Sequence, residues 1–127
     1  MRESMNILIA EADIKIVDQL KNYLVSFGHK VFPNVTSGED LMKYVELLNP
    51  SLIITDINLN GQLDGVEAIA RLERSYNIPY IFITAYDDYS NLIYSYNLNP
   101  VSIIKRPIDL ANLHESVEKA QLNLELV

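Results

Sequence analysis

Short, uninterrupted apolar runs alternate with longer helical segments along this chain. The clearest runs lie near residues 6–10, 52–55, 80–83 and 101–104, with a weaker one from Lys30 to Phe32. They are rich in β-branched residues and too short for helices, which is typical of strands. Their continuous apolarity predicts strands that are covered on both faces, as in a parallel sheet. The alternation of strands and helices predicts right-handed crossovers, with helices on both sides of the sheet.

The first helical segment carries an apolar stripe. Val17, Leu20, Leu24 and Phe27 recur at helical spacing, so all four are predicted to be buried on one face. Gly28 follows directly and is predicted to end the helix, because glycine adopts the left-handed conformation that is common at this position.

Capping residues mark the starts of the later helices. Thr36, with Glu39 three residues on, resembles a capping box in which Thr36 is the N-cap. Asp64 forms a turn into a third helix, and residues 87–96 mark a fourth. Asp109 is a suitable N-cap for a fifth helix.

The number and order of these elements favour one domain. The 127 residues are enough for a single hydrophobic core, and we expect all of residues 1–127 to belong to it. Five strand–helix units favour an α/β, flavodoxin-like (βα)5 fold, with a five-stranded parallel sheet in the order 2-1-3-4-5. In that order the first and third strands are neighbours, and ligands bind at the carboxyl ends of the strands beside this switch point.

Polar side chains follow four of the predicted strands at their carboxyl ends. They are Glu11, Asp13, Asp56, Thr84, Lys105 and Arg106. Because the carboxyl ends of parallel strands meet at one edge of a sheet, we expect these side chains to converge on one cleft.

The predicted cleft suits phosphoryl chemistry. Carboxylates that share a pocket raise one another's pKa unless a cation lies among them, and all-oxygen ligands favour Mg²⁺ or Mn²⁺. An aspartate such as Asp56 can also attack phosphorus and form an acyl phosphate. Thr84, with Arg106 or Lys105, would then stabilise the oxygens of the transferred group. Asp13 is expected to cap the first helix rather than to bind metal.

Composition excludes several other functions. The net charge is −7, from 17 acidic and 10 basic residues, so the cationic surface that direct nucleic-acid binding needs is not expected. The absence of cysteine excludes disulfides and thiolate metal sites. No apolar stretch approaches the roughly 20 residues that cross a bilayer. We therefore expect a cytoplasmic protein without a membrane partner.

The motifs at the predicted cleft resemble those of response regulator receiver domains, the phosphoacceptor domains of two-component signalling. The matching segments are Ile7–Asp13, Asp56–Leu59, Asp64–Glu67, Thr84–Ala85 and Arg106–Pro107. They occur in order from about residue 5 to residue 122, which is nearly the whole chain.

The resemblance implies a role for each site residue. Asp56 would accept a phosphoryl group from a histidine kinase or a phosphotransfer protein. Glu11, Asp56 and the backbone carbonyl of Asn58 would bind Mg²⁺. Thr84 would hold a phosphoryl oxygen, and Arg106 occupies the position of the family's lysine before a cis-proline. The chain would be a signalling domain rather than an enzyme, although such domains catalyse their own phosphotransfer and dephosphorylation.

Three positions depart from the family pattern. Ala12 stands where receivers carry a second acid that binds the metal, so we expect weak Mg²⁺ binding. Arg106 replaces the lysine, and a planar guanidinium is not equivalent to a compact ammonium. Ile103 stands in place of the strand-5 aromatic residue that turns inward in the active state.

Receivers pass their signal on through the surface of the fourth helix, the fifth strand and the fifth helix. Four tyrosines cluster around the predicted fourth helix: Tyr86, Tyr89, Tyr94 and Tyr96. Exposed aromatic residues often mark binding faces, so a homodimer or an output contact is expected on this surface.

Three alternatives remain open at this point. The three departures allow a degenerate receiver, which would bind partners without being phosphorylated. A flavodoxin-type flavin protein would need a phosphate-binding loop after the first strand, but residues 11–15 are acidic and lack glycine. An aspartyl phosphatase would need a general acid two residues after the nucleophile, where this chain has Asn58.

Overall fold

A single parallel sheet lies at the centre of the protein. The structure, a computed structural model, describes residues 4–85, 93 and 96–125. Five strands pair in the order β2-β1-β3-β4-β5, and every pairing is parallel. The strands are β1 (Asn6–Ala10), β2 (Lys30–Val31), β3 (Leu52–Asp56), β4 (Tyr80–Thr84) and β5 (Ser102–Lys105). The predicted flavodoxin-like fold and strand order are confirmed.

Helices connect the strands and cover the sheet. The described helices are α1 (Ile14–Ser26), α2 (Gly38–Leu48), α3 (Gly65–Leu72) and a C-terminal helix (Leu110–Glu125). Most of the predicted fourth helix lies outside the described residues, and so do Tyr86, Tyr89 and Tyr94. Among the helices that are described, none has both the length and the apolar character to cross a membrane.

The core has two halves, one on each face of the sheet. In β1, Ile7 and Ile9 pack toward α1 and the C-terminal helix, whereas Leu8 and Ala10 pack toward α2 and α3. Residues of β3 and β4 are buried throughout, as the continuous apolar runs predicted. The central strands are therefore fixed from both sides, which holds their carboxyl ends in place.

The end of α1 corrects one sequence-based expectation. Phe27 was predicted to be buried, but it is 54% exposed because α1 ends at Ser26 and Phe27 is its C-cap. Gly28 (φ 88°) then turns the chain. The Gly28 amide donates to the Val25 carbonyl (2.9 Å), and the next amide, that of His29, reaches back to Leu24. This Schellman arrangement turns the backbone before Phe27 can continue the buried stripe.

The start of α2 corrects a second expectation. Thr36 is not the N-cap; Ser37 is, and its hydroxyl accepts a hydrogen bond from the Asp40 amide (3.1 Å). The Thr36 carbonyl instead accepts from the Asn60 amide, in the loop after β3. Glu39 also serves that loop, because its carboxylate accepts from the Leu63 amide (2.6 Å) rather than from the helix start. These tertiary contacts shift the cap by one residue.

The caps predicted at Asp13 and Asp109 are confirmed, and Asp64, predicted to form the turn into the third helix, is the N-cap of α3. Asp13 caps α1 by accepting from the Lys15 amide, and Asp64 caps α3 by accepting from the Glu67 amide. Asp109 accepts from the Ala111 amide at the start of the C-terminal helix. Helix α1 thus begins shortly after β1, at Ile14, whereas α3 begins at Gly65, after the loop that follows β3.

Candidate functional site

Glu11 lies directly beyond β1 and is almost completely buried, with 1% of its surface exposed. The Asp13 amide donates to its Oε2 atom (3.0 Å). Its backbone is held as well, because the Glu11 amide donates to Val35 and the Asn34 side chain donates to the Glu11 carbonyl. The Glu11 carboxylate is therefore positioned at the carboxyl edge of the sheet.

Asp56 is the last residue of β3, and it is 8% exposed. The Asn58 amide donates to its Oδ1 atom (3.0 Å). Helix α3 begins very close by: a Cβ atom placed on Gly65 would lie 2.0 Å from the Asp56 carbonyl oxygen. Only glycine permits this approach between the strand end and the helix start.

The environment of Asp56 makes its carboxyl group unusually basic. Burial raises the pKa of Asp56 to about 6, and the negative charge of Glu11 and a hydrogen bond with Glu11 also raise it. The hydrogen bond from the Asn58 amide and the charge of Arg106 act in the opposite direction. Desolvation is the largest of these effects, as expected for a carboxylate that is removed from water.

Arg106 joins the two carboxylates. Its Nη2 atom donates to Asp56 Oδ2 (2.7 Å) and to Glu11 Oε1. Its backbone amide donates to the Thr84 carbonyl (2.8 Å), and the Arg106–Pro107 peptide bond is cis. Burial lowers the pKa of Arg106, but the hydrogen bond to Glu11 and the charges of Asp56 and Glu11 raise it overall. The guanidinium is therefore fully charged at the site.

The remaining predicted residues lie around this bridge. Thr84 ends β4 and is buried, and it pairs across the sheet with Lys105, which is exposed. Asp13 directs its carboxylate to the α1 cap, as expected. Asn58 is exposed beside Asp56. The structure thus brings Glu11, Asp56, Thr84 and Arg106 to one edge of the sheet.

The site as arranged does not fit a divalent cation. Glu11, Asp56 and the Asn58 carbonyl have the hard oxygen chemistry that Mg²⁺ prefers. However, the guanidinium of Arg106 already lies between the two carboxylates. Within the described ranges, no group of three or more histidine, cysteine, aspartate or glutamate residues could hold a metal ion. Ala12 supplies no side-chain ligand.

The sequence predicted the members of the site but missed the bridge between them. The departures from the family pattern at Ala12 and Arg106 could have indicated this bridge. Losing an acid at Ala12 and gaining a guanidinium at Arg106 leaves two carboxylates facing a side chain with several donors. Distances between residues far apart in sequence were still needed, because Glu11 and Arg106 are separated by 95 positions.

Comparisons with known proteins agree with this fold. The family model described as "Response regulator receiver domain" matches residues 7–118. The positive alginate biosynthesis regulatory protein of Pseudomonas aeruginosa is 29% identical, over 91% of this chain and 47% of its own length. The phyllosphere-induced regulator PhyR of Methylorubrum extorquens is also 29% identical, over 90% of this chain and 42% of its own length. The chain thus spans about half, or slightly less, of these curated relatives.

A solved structure is similar over its full length. The signal receiver domain of a modulated diguanylate cyclase from Desulfovibrio desulfuricans G20 has a TM-score of 0.87 and 32% identity, covering 98% of both chains. With the family match over residues 7–118 and the strand order β2-β1-β3-β4-β5, this chain belongs to the response regulator receiver domain family.

Proposed function

We propose that residues 1–127 form one receiver domain that accepts a phosphoryl group on Asp56 from a histidine kinase or a phosphotransfer protein. The observation that carries the proposal is the hydrogen bond from Arg106 to Asp56, which gives a buried nucleophile a cationic partner at the carboxyl edge of the sheet. The relatives named above are regulators, which favours a signalling role over an enzymatic one.

The transfer is a displacement at phosphorus. The phosphorus–nitrogen bond of a phosphohistidine breaks as a carboxylate oxygen of Asp56 bonds to phosphorus, and the histidine nitrogen keeps the electron pair and then takes a proton. The attacking carboxylate must be ionised, and a pKa of about 6 leaves most of Asp56 ionised at neutral pH. Such transfers depend mainly on positioning and on charge stabilisation around the phosphoryl oxygens.

Two groups beside Asp56 suit the transferred oxygens. Arg106 Nε has no hydrogen-bond partner within the described part of the chain. This atom is buried, so the guanidinium would have to turn for Nε to donate to a phosphoryl oxygen. We assign the Thr84 hydroxyl to a second oxygen, since Thr84 is buried at the end of the neighbouring strand. Lys105, one residue before Arg106, is the alternative cation.

Receiver domains generally bind Mg²⁺ at the phosphorylation site. When bound, the metal supplies positive charge to the phosphoryl oxygens. For this chain we propose only weak binding, by Glu11, Asp56 and the Asn58 carbonyl. Ala12 offers no carboxylate, and Arg106 already neutralises part of the charge that would attract the metal.

The output surface is proposed to include β5 and the C-terminal helix. Ile103 in β5 is 44% exposed, and Leu110 and Leu122 of the C-terminal helix are exposed too, as is Tyr96. Exposed apolar side chains of this kind favour a partner, either a second copy or an output domain. A cytoplasmic location belongs to the same proposal.

Phosphorylation can be tested directly by mass spectrometry. Incubation with phosphoramidate, whose phosphorus–nitrogen bond resembles that of phosphohistidine, or with acetyl phosphate and Mg²⁺, should add the mass of one phosphoryl group. Asp56→Asn should abolish the gain. Asp18→Asn is the matched control, because Asp18 is exposed on α1, and it should be phosphorylated like the wild type. An equal mass gain in Asp56→Asn would contradict the assignment.

The second candidate function is a degenerate receiver that binds its partner without phosphorylation. Ala12 and Ile103 favour it, because they replace the second acid and the strand-5 aromatic residue of the family pattern. No mass gain with either donor, together with no response to beryllofluoride, would favour this candidate.

A further inference from the structure

The position that a divalent cation would take between Glu11 and Asp56 is already filled by a positive charge of the protein itself. We infer that Arg106 is the resident cation of this site, and that a divalent metal binds only by displacing its guanidinium. The inference concerns the unphosphorylated domain, so it holds whether or not Asp56 is ever phosphorylated.

The first support is that one atom serves both carboxylates. Nη2 of Arg106 contacts Glu11 Oε1 and lies 2.7 Å from Asp56 Oδ2. Strands β1 and β3 are neighbours, with Ala10 paired to Thr55, so the residues that follow these two lie side by side. A cation that bridges two adjacent buried carboxylates must occupy the region that Nη2 fills.

The second support is the charge balance of the pocket. Two buried carboxylates repel each other, and removing them from water makes a nearby counter-charge necessary. The described residues bring one such charge into contact with both, the guanidinium of Arg106. Its charge is permanent, since arginine does not deprotonate in proteins. The pair of acids is thus partly neutralised without metal, which weakens the pull on a divalent ion.

The third support is that the described residues next to Glu11 offer no further carboxylate ligand. Ala12 has none, and the Asp13 carboxylate accepts from the Lys15 amide at the start of α1. A metal that entered while Arg106 stayed would meet two carboxylates already sharing their charge with a guanidinium. Displacement is therefore the route that leaves the metal with both carboxylates.

The fourth support is that Arg106 is anchored by its backbone rather than reaching in from a mobile segment. Its amide donates to the Thr84 carbonyl, extending the β4–β5 pairing by one residue. The backbone that carries the guanidinium is therefore held at the end of the sheet, beside the two carboxylates.

Titration with Mg²⁺, without any phosphodonor, tests the inference. Amide resonances of Asp13 and Asn58 report on the two carboxylates, because these amides donate to Glu11 and Asp56. We expect Arg106→Gln to bind Mg²⁺ about tenfold more tightly than the wild type, a change that corresponds to about 1.4 kcal/mol. The matched control is Arg71→Gln, because Arg71 is an exposed arginine that pairs with Glu67 on α3; this variant should bind Mg²⁺ like the wild type.

A readout in the wild type keeps the test independent of how well Arg106→Gln folds, and a second readout follows the stability of the variant. In the wild type, the side-chain Nε–H resonance of Arg106 should move with the same Mg²⁺ midpoint as the amides of Asp13 and Asn58. In the variant, the melting temperature should rise with added Mg²⁺ more steeply than in the wild type, since a tighter ligand stabilises more.

The inference is overturned if the wild type binds Mg²⁺ as tightly as Arg106→Gln. It is also overturned if Mg²⁺ saturates the Asp13 and Asn58 amides while the Arg106 resonance stays in place. Neither outcome bears on phosphorylation of Asp56, which the mass measurement tests separately.

Discussion

Replacing Asp56 with asparagine should stabilise the folded domain, although Asp56 is its proposed functional centre. Burial raises the pKa of Asp56 to about 6, above its ordinary value of 3.8. The folded state therefore holds the proton more tightly than the unfolded state, and the ionised carboxylate costs stability above pH 6. The asparagine side chain of the variant would keep an oxygen that can accept from the Asn58 amide and would carry no charge.

The size of the effect follows from the pKa difference. A difference of about 2 between 6 and 3.8, at about 1.36 kcal/mol per unit of pKa, sets an upper bound near 3 kcal/mol. Solvent at the open edge of the cleft and the loss of the contact with Arg106 reduce this. We expect Asp56→Asn to raise the free energy of unfolding by about 1–2 kcal/mol at pH 8.

The pH dependence of the stability difference has a definite direction. Because the folded pKa is raised, the wild type should gain stability as the pH falls from 8 toward 4 through the pKa of Asp56, whereas Asp56→Asn should lack this contribution. Urea unfolding at pH 8, 7, 6 and 5, without divalent cations, gives the difference between the two proteins. Asp18→Asn serves as the control for removing an exposed charge from α1.

One result would refute the reasoning. If Asp56→Asn is less stable than the wild type at pH 8, and the gap persists at pH 5 and closes only below about pH 4, the ion pair with Arg106 outweighs the cost of burial. The folded pKa of Asp56 would then lie below its ordinary value, and the site would be held together by the charge pair.

Three further predictions follow from single contacts. Phosphorylation of the wild type by acetyl phosphate should slow as the pH falls through about 6, since protonation removes the Asp56 nucleophile. Rates of mass gain from pH 5 to 8 measure this effect, and a rate that does not change with pH would contradict it. Gly65→Ala should destabilise the domain by about 1–3 kcal/mol in urea unfolding, because its Cβ would lie 2.0 Å from the Asp56 carbonyl oxygen; unchanged stability would show that α3 can shift away. Ser37→Ala should cost about 1 kcal/mol through loss of the α2 cap, whereas Thr36→Ala should cost much less; the reverse order in thermal unfolding would restore Thr36 as the cap.

Sequence reasoning succeeded where a pattern is local and repeated. Four of the five strands were recognised as continuous apolar runs, and their parallel order follows from the alternation with helices. The caps at Asp13 and Asp109 were also correct, because a side chain that accepts from an amide two residues on acts within one turn. The turn predicted at Asp64 does start α3.

The wrong predictions concern residues whose position depends on contacts beyond the local apolar or capping pattern. Thr36 was misassigned because its carbonyl pairs with the Asn60 amide across a loop. Phe27 was predicted to be buried from spacing alone, yet the turn at Gly28 ends α1 first and leaves the ring beside Tyr23 (4.7 Å between centroids). A periodic pattern carries no information on contacts of this kind.

The sequence by itself determined the fold class, the strand order and the set of residues that end the strands. The strands follow from hydrophobic periodicity, which operates within a few residues, and their order follows from the topology rules of parallel α/β sheets. The tertiary structure decided how the charges pair. Arg106 contacts two carboxylates because the ends of β1, β3 and β5 lie close together. The Coulomb attraction between these buried groups is set by their separation and by the exclusion of water.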